Sequence, residues 1–327
     1  MSNSLKYCLF GIFFLGFLLP ACKKTTIEPK TENEFLSPPP PLCPFAKCNI
    51  TDGGEFFHWF SWGTSIYEGE LHFELSGQPD PYGFTYDQND NPLTCFGDIY
   101  YSCYTMHLSS VFSYTNGKLS SILVDNTYSD PGCPPFVNLP TIHTGTRVDF
   151  TYTFRVEQTG GIPILFPVIN ATVYKSDTVP LGQNFTSFTP TGRTYYYEYN
   201  ISGDRLRIKR YKSNPSAITK EVRYTYDTVG HLIRTSQYEN GIEKNRSTFY
   251  SFDTKKNFAS GNSIMKLLTS SYGANNPKQW YNHSYTSQNT DYFTANYSYN
   301  IYCYPAAVTI TIDGFTFPSS SISYSCQ

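Results

Sequence analysis

The sequence lacks the short motifs that mark the common enzyme classes. It has no Gly-x-Ser-x-Gly, no His-Glu-x-x-His, no phosphate-binding loop and no dinucleotide-binding fingerprint. It also lacks an excess of charge of either sign, since 24 Lys and Arg stand against 26 Asp and Glu. The first absence favours a protein that is not an enzyme and holds no cofactor. The second gives no indication of a nucleic-acid partner.

Methionine is scarce as well, with 3 residues, and the good helix formers are few. The 327 residues contain instead 29 Tyr and 25 Phe. Aromatic and β-branched side chains suit a pleated, half-buried surface. The composition therefore predicts an all-β protein.

One phrase recurs along the chain: two aromatic residues with one residue between them, then Asp or Asn, and a Gly three positions later. It begins at Tyr197 and again at Tyr224, opens an incomplete third copy at Phe252, and has a shortened copy at 112–119. Each copy is typical of a strand, a turn carried by Asp or Asn and Gly, and a return strand. We expect a large antiparallel sheet of repeated hairpins that curls into an open or partial barrel.

Four further stretches predict local structure. Residues 146–156 alternate cleanly and predict a strand. Residues 162–174 are apolar but contain two prolines, which predicts a buried, interrupted edge strand. Residues 77–103 predict loop and edge, and 263–270 predict the one short helix.

The N-terminal residues indicate export and anchoring. Residues 1–21 carry Lys6 and a short apolar core, which is typical of a signal peptide, and an Ala precedes Cys22. This arrangement resembles the lipobox of bacterial lipoproteins, which implies cleavage before Cys22 and its acylation; ordinary secretion with a free Cys22 is the alternative. A proline-rich tether, 22–50, and a β domain, 51–327, would follow, with a subdomain boundary near 180–192.

The seven remaining cysteines are disulfide candidates in an exported chain. The pairs that would close short loops or tie neighbouring strands are Cys43–Cys48, Cys95–Cys103 and Cys303–Cys326, which leaves Cys133. A zinc site that uses Cys43, Cys48 and His58, or Cys95, Cys103 and His107, is the alternative, but its tight Cys-x2-Cys spacing is missing. We therefore expect no metal.

Two more patterns raise the question of a ligand site. Residues 56–62 hold Trp59 and Trp62, which together with Trp280 are candidates for an aromatic ligand platform; packing in the core is the favoured alternative. Asp and Asn at 87–91 resemble a calcium loop in composition, but the Gly and Glu of an EF-hand are absent.

The phrase at Tyr224–Leu232 is similar to the YD repeats of Rhs and teneurin-type shells. The run that includes Tyr250-x-Phe252-Asp253, the short helix, Asn275-Asn276-Pro277-Lys278 and Tyr297-x-Tyr299-Asn300 resembles a domain of unknown function found in Bacteroidetes lipoproteins, over roughly residues 110–317. The resemblance implies a porin-like open β-barrel and a place in the cell envelope, and it supplies no catalytic residues.

We therefore expect a non-enzymatic binding or interaction module, tethered through Cys22 to the outer membrane of a Gram-negative bacterium. The sequence Lys23-Lys24-Thr25-Thr26 lacks acidic residues, which favours the periplasmic face over the cell surface. A glycan, a lipid or another envelope protein would be the ligand. The alternatives are a structural or lipid-binding envelope component and a glycan hydrolase, which needs two facing carboxylates from Glu68, Glu70, Glu74 and Asp98.

Overall fold

The computed structural model describes residues 47–52, 83–100, 105–129, 142–214, 217–269 and 272–326. These residues all belong to the compact unit Cys43–Gln327. The expected signal peptide and almost all of the expected tether lie outside the described residues.

Strands dominate the described part of the chain. They are β1 (Cys48–Asp52), β2 (Gly83–Tyr86), β3 (Pro92–Tyr100), β4 (Thr105–Thr115), β5 (Lys118–Ser129), β6 (Ile142–Thr159), β7 (Ile162–Ser176), β8 (Val179–Pro180), β9 (Phe188–Tyr199), β10 (Leu206–Asn214), β11 (Ala217–Tyr226), β12 (Leu232–Glu239), β13 (Ile242–Phe252), β14 (Pro277–Ser284), β15 (Thr290–Tyr299), β16 (Pro305–Ile312), β17 (Phe315–Thr316), β18 (Ser320–Ser321) and β19 (Ser323–Cys326). One helix, α1 (Ser263–Thr269), lies between β13 and β14. The all-β prediction is confirmed.

Nearly every strand pairs antiparallel with its neighbour in sequence. The order runs from β1 to β7, continues through β9 and reaches β16, while the short β8 lies on β6. The buried side chains of these strands and of α1 form one contiguous cluster, so the sheet curls around its core. The sheet remains a partial barrel. Where its two ends approach each other, only two residue pairs join β16 to β18, and the chain then continues into β19, which pairs with β1.

The repeated phrase forms a five-residue turn in which Asp or Asn organises the backbone. Asp227 Oδ1 accepts hydrogen bonds from the backbone N–H groups of Val229, Gly230 and His231 at 3.0, 2.7 and 2.8 Å. The third residue after the Asp or Asn has a left-handed backbone, which glycine adopts most easily. The four left-handed residues are Asp90 (φ 63°), Gly203 (φ 75°), Gly230 (φ 101°) and Cys303 (φ 65°).

One of these turns lies where the sequence predicts loop and edge. Residues 83–100 form β2, a turn at Asp87 and β3, so the prediction for this part of 77–103 is wrong. Phe84, Tyr86 and Asp87 match the first part of the phrase, but Asp90 stands where the glycine is expected. Asp and Asn tolerate the left-handed region better than other residues, and this explains why the turn forms without glycine.

Tyrosine hydroxyls connect neighbouring strands near the turns. In five cases the hydroxyl donates a hydrogen bond to a backbone carbonyl of the preceding strand in the sheet. The pairs are Tyr86 to Ile50, Tyr114 to Pro92, Tyr152 to Leu119, Tyr226 to Leu206 and Tyr297 to Pro277. Because a buried tyrosine needs a partner for its hydroxyl, these contacts let the sheet interior contain many tyrosines.

The hairpin of β6 and β7 is longer than its neighbours. β5 pairs with β6 only up to Asp149, and β9 pairs with β7 only from Val168 on. We call the part beyond these positions, residues 151–167, the arm. β7 is a central strand after Val168, which corrects the predicted edge strand at 162–174. Both prolines lie in the arm, where β7 pairs with β6 alone among the described strands.

The predicted helix at 263–270 is confirmed as α1, and Asn262 begins it. Asn262 Oδ1 accepts hydrogen bonds from the N–H groups of Ile264 and Met265 at 3.0 and 3.1 Å, which is the geometry of an N-cap. The Asn262 amide donates to Asn49 Oδ1 and to the Asp90 carbonyl, so the cap also fixes the helix to β1 and to the β2–β3 turn.

Candidate functional site

A cavity of about 410 Å³ lies between α1, the base of the arm and the turns that follow β4 and β9. Its volume is within the range of small-molecule sites, about 300–1,000 Å³. Six of the residues that line it are Lys118, Phe154, Ile169, Asp204, Lys266 and Leu267. Its other lining residues are mostly apolar and include Leu119, Val168, Ile264 and Tyr272, so the cavity is largely apolar with three charged groups.

The apolar wall of the cavity continues along one face of the arm. Val148 and Phe150 point into the core, and strand alternation puts Tyr152, Phe154 and Val156 on the same face. Phe154 is 68% exposed and Val156 is 55% exposed. Their partners across the hairpin, Pro167 and Leu165, extend this surface, which we call the inner face of the arm.

The opposite face of the arm carries an ionic cluster around Glu198. Glu198 is 0% exposed, and its carboxylate lies 2.9 Å from Arg155 Nη1 and 3.3 Å from Arg207 Nη1. Arg155 and Arg207 also contact Glu157, and the Arg207 guanidinium lies 4.2 Å from the centre of the Phe166 ring. These contacts join the arm to β9 and β10 and hold it in place.

Two tyrosines from distant parts of the chain, Tyr199 and Tyr272, line the cavity and contact each other. The hydroxyls of Tyr199 and Tyr272 lie 2.9 Å apart, and both residues are buried. Burial raises the pKa of both phenols above the ordinary value of about 10. Both side chains therefore stay neutral near pH 7 and act only through their hydroxyl groups.

The cavity also contains two lysines. Lys118 is exposed at the start of β5, and its ammonium lies 5.0 Å from the centre of the Tyr152 ring. Lys266 extends from α1 and is partly buried, and burial lowers its pKa, although nearby Asp204 opposes this. Sequence reasoning placed both lysines in predicted elements, but no local signal indicated that they would meet.

The cysteines do not form the expected pairs. Cys48 forms a disulfide with Cys326, because β1 and β19 are neighbours and the register places these two residues opposite each other. This bond excludes both the expected Cys43–Cys48 pair and the expected Cys303–Cys326 pair, and Cys303 is disulfide-bonded as well. Cys95 is a free buried thiol, which rules out the Cys95–Cys103 pair. Burial raises the pKa of the Cys95 thiol, and a protonated thiol is a poor nucleophile.

Trp280 is not part of a ligand platform, because it is 0% exposed. It stacks on Phe293 with 5.2 Å between ring centres and contacts Phe249 at 6.2 Å. These aromatic pairs add to core packing. Trp59 and Trp62 lie outside the described residues, as do Cys22, Cys43, Cys103, Cys133 and His58.

The Asp and Asn residues at 87–91 serve the turn. Asp87 Oδ1 accepts hydrogen bonds from the N–H groups of Asn89 and Asn91 at 2.8 and 2.9 Å. Asp90 instead contacts Lys47 at 2.7 Å. In the described parts of the chain no three His, Cys, Asp or Glu side chains come together in a way that could hold a metal ion.

Glu68, Glu70 and Glu74 also lie outside the described residues, and Asp98 lies on β3. No helix in the described ranges combines the length and the apolar character needed to cross a bilayer.

Among solved structures, two porin-like proteins that align with the chain do so at low similarity. No protein-family model and no curated protein sequence matches the chain. A porin-like protein from Bacteroides uniformis aligns with 12% identity and a TM-score of 0.35, covering 72% of this chain and 95% of that one. A porin-like protein from Bacteroides vulgatus aligns with 12% identity and a TM-score of 0.32, covering 75% and 94%. The fold described above is established by the strand pairing of this chain itself.

Proposed function

We propose that this protein is a lipid-anchored component of a bacterial cell envelope whose β domain binds an apolar or amphipathic ligand without chemically changing it. The observation that carries the proposal is the exposed inner face of the arm, which continues the apolar wall of the cavity. Contiguous exposed apolar surface is uncommon on soluble monomers and marks binding sites when it occurs.

The ionic cluster supports a binding role for the arm. Arg155 and Arg207 fix the arm to the buried Glu198 on its outer face, so its inner face has a defined position before any ligand arrives. A preorganised surface loses less conformational entropy on binding than a flexible one. The arm is therefore suited to hold a ligand against the cavity.

Binding is tested with the neutral apolar fluorophore N-phenyl-1-naphthylamine and the full chain carrying Cys22→Ala, which removes the acylation site. We expect fluorescence enhancement that saturates with one fluorophore per chain. Phe154→Ser should weaken binding about tenfold or more, because it removes a large apolar contact surface.

The matched control is Phe315→Ser, since Phe315 is 77% exposed on β17 and does not line the cavity. If both substitutions weaken fluorophore binding equally, or if the fluorophore does not bind, the proposed binding role is wrong.

The anchoring part of the proposal rests on the segment before Cys22. We expect metabolic labelling with palmitate in the wild-type chain and none in Cys22→Ala. We place the protein on the periplasmic face of the outer membrane, so external protease should digest it only after permeabilisation. Digestion in intact cells would place it on the cell surface instead.

A further inference from the structure

The cavity contains two positive charges that no carboxylate of the described residues contacts directly. Lys118 and Lys266 both line it, and neither ammonium makes an ion pair within the residues that the structure describes. Lys266 is partly buried, and burial of an ammonium is unfavourable unless it is paired. Within the described residues, the ammonium groups of Lys118 and Lys266 therefore lack an anion in direct contact.

The acidic residue that lines the cavity with these lysines is engaged in hydrogen bonds of its own turn. Asp204, which also lines the cavity, accepts hydrogen bonds from Asn200 Nδ2 at 2.8 Å and from the Ser202 hydroxyl in its own turn. These hydrogen bonds lower the pKa of Asp204 and keep its carboxylate ionised. With two lysines and one aspartate, the charged groups of the cavity sum to one positive charge.

The apolar surface starts beside these lysines and leads away from them. The Lys118 ammonium lies over the Tyr152 ring, and Tyr152 is the first residue of the inner face of the arm. Phe154 and Val156 follow along β6, and Leu165 and Pro167 lie beside them on β7. A positive end and an apolar strip are the complement of an anionic amphiphile.

We propose that the cavity binds a single-chain anionic lipid, with its carboxylate at Lys118 and Lys266 and its acyl chain along the inner face of the arm. This inference rests on the proposed binding function and identifies its ligand class. A glycan would need more hydrogen-bonding groups than the apolar wall offers.

The test measures displacement of N-phenyl-1-naphthylamine from the full Cys22→Ala chain by decanoate and by 1-decanol, which differ only in the head group. Charge-assisted hydrogen bonds are stronger than neutral ones, so we expect decanoate to compete at about tenfold lower concentration than decanol. In Lys118→Gln/Lys266→Gln this preference should disappear while the fluorophore still binds.

The matched control is Lys220→Gln/Lys278→Gln, which removes the same charge from residues that do not line the cavity. Lys118→Met/Lys266→Met serves as a second variant if the glutamine variant does not fold. Failure of the fluorophore to bind would contradict the proposed function. Fluorophore binding with equal displacement by both compounds would overturn only the anionic ligand.

Two further outcomes also overturn the inference. One is a decanoate preference that persists in Lys118→Gln/Lys266→Gln, which would place the carboxylate elsewhere. The other is a concentration-dependent dimer, seen by analytical ultracentrifugation and abolished by Phe154→Ser. That result would assign the inner face of the arm to a second copy of the chain.

Discussion

Cys48 and Cys326 lie 278 positions apart and form a disulfide that joins β1 to β19. We expect Cys48→Ala, Cys326→Ala and the double variant each to lower the free energy of unfolding by about 2–5 kcal/mol, because all three remove the same link from a very long loop. Denaturant unfolding under non-reducing conditions measures this. A double variant that loses the sum of the two single effects would contradict a shared bond.

Among the acidic residues that contact the arm, Glu198 on β9 is predicted to be the most sensitive to substitution. Its replacement by Ala leaves Arg155 and Arg207 without their buried partner, and removing one member of a buried ion pair costs about 3–5 kcal/mol. Glu239→Ala is the matched control. Its pair with Lys220 is exposed and 3.9 Å long, so a loss below about 1 kcal/mol is expected. Equal losses in urea unfolding would refute a special role for Glu198.

The stability of the protein should fall in acid through Glu221. Burial alone would raise the pKa of Glu221, but hydrogen bonds from Arg223 and Arg210 outweigh it and lower the pKa below its ordinary value. A carboxyl with a lowered folded-state pKa stabilises the fold above its unfolded pKa, about 4.3, and this contribution is lost as the pH falls through the folded value.

The unfolding midpoint of Glu221→Gln should therefore depend less on pH in the acid range than that of the wild type. Thermal melts between about pH 2 and pH 5 measure this difference. Glu239→Gln provides the control. If Glu221→Gln and the wild type lose stability in parallel on acidification, the Arg210 and Arg223 contacts do not act through ionised Glu221.

The turn after β15 offers a test of the repeated phrase. Asn300 Oδ1 accepts hydrogen bonds from the N–H groups of Tyr302 and Tyr304, both at 3.0 Å. Asn300→Ala removes both and should cost about 1–2 kcal/mol of unfolding free energy. Asn300→Asp keeps the acceptor, as Asp227 does in its own turn, and should cost less than half as much. Equal costs would show that the acceptor oxygen is unimportant.

The tyrosine hydroxyls that join strands should each contribute measurably. Tyr226→Phe removes the hydrogen bond to the Leu206 carbonyl, and Tyr114→Phe removes the one to Pro92. Each should cost about 0.5–1.5 kcal/mol in denaturant unfolding. Tyr250→Phe, at a residue 56% exposed on β13, should change little. The expectation fails if Tyr114 and Tyr226 tolerate the change to Phe as well as Tyr250 does.

Much of the sheet is readable from sequence because its information is local. Aromatic alternation and an Asp or Asn followed by Gly predict the hairpins at Tyr197 and Tyr224, and the structure has both. The same rule missed the hairpin at Asp87, since Asp90 occupies the position where glycine is expected. The signal that could have found it is the pair Phe84 and Tyr86 directly before Asp87.

The other wrong predictions concern residues whose partners lie far away in the sequence. The pairing of Cys48 with Cys326 depends on which strands become neighbours, and a choice based on short loops leads to other pairs. A tryptophan in the sequence can belong to a ligand platform or to the core. The packing of Phe249 and Phe293 around Trp280 shows that it belongs to the core.

The all-β class, the repeated turns and the short helix can be read from the sequence alone, because strand alternation, turn residues and caps act between residues a few positions apart. That Lys118, Lys266 and the base of the inner face of the arm line one cavity is visible only in the folded chain. These groups come from β5, α1 and the β6–β7 hairpin, and their meeting depends on how the sheet curls around its core. The curvature of the sheet depends on all of its strand pairings together, so it cannot be read from any single segment.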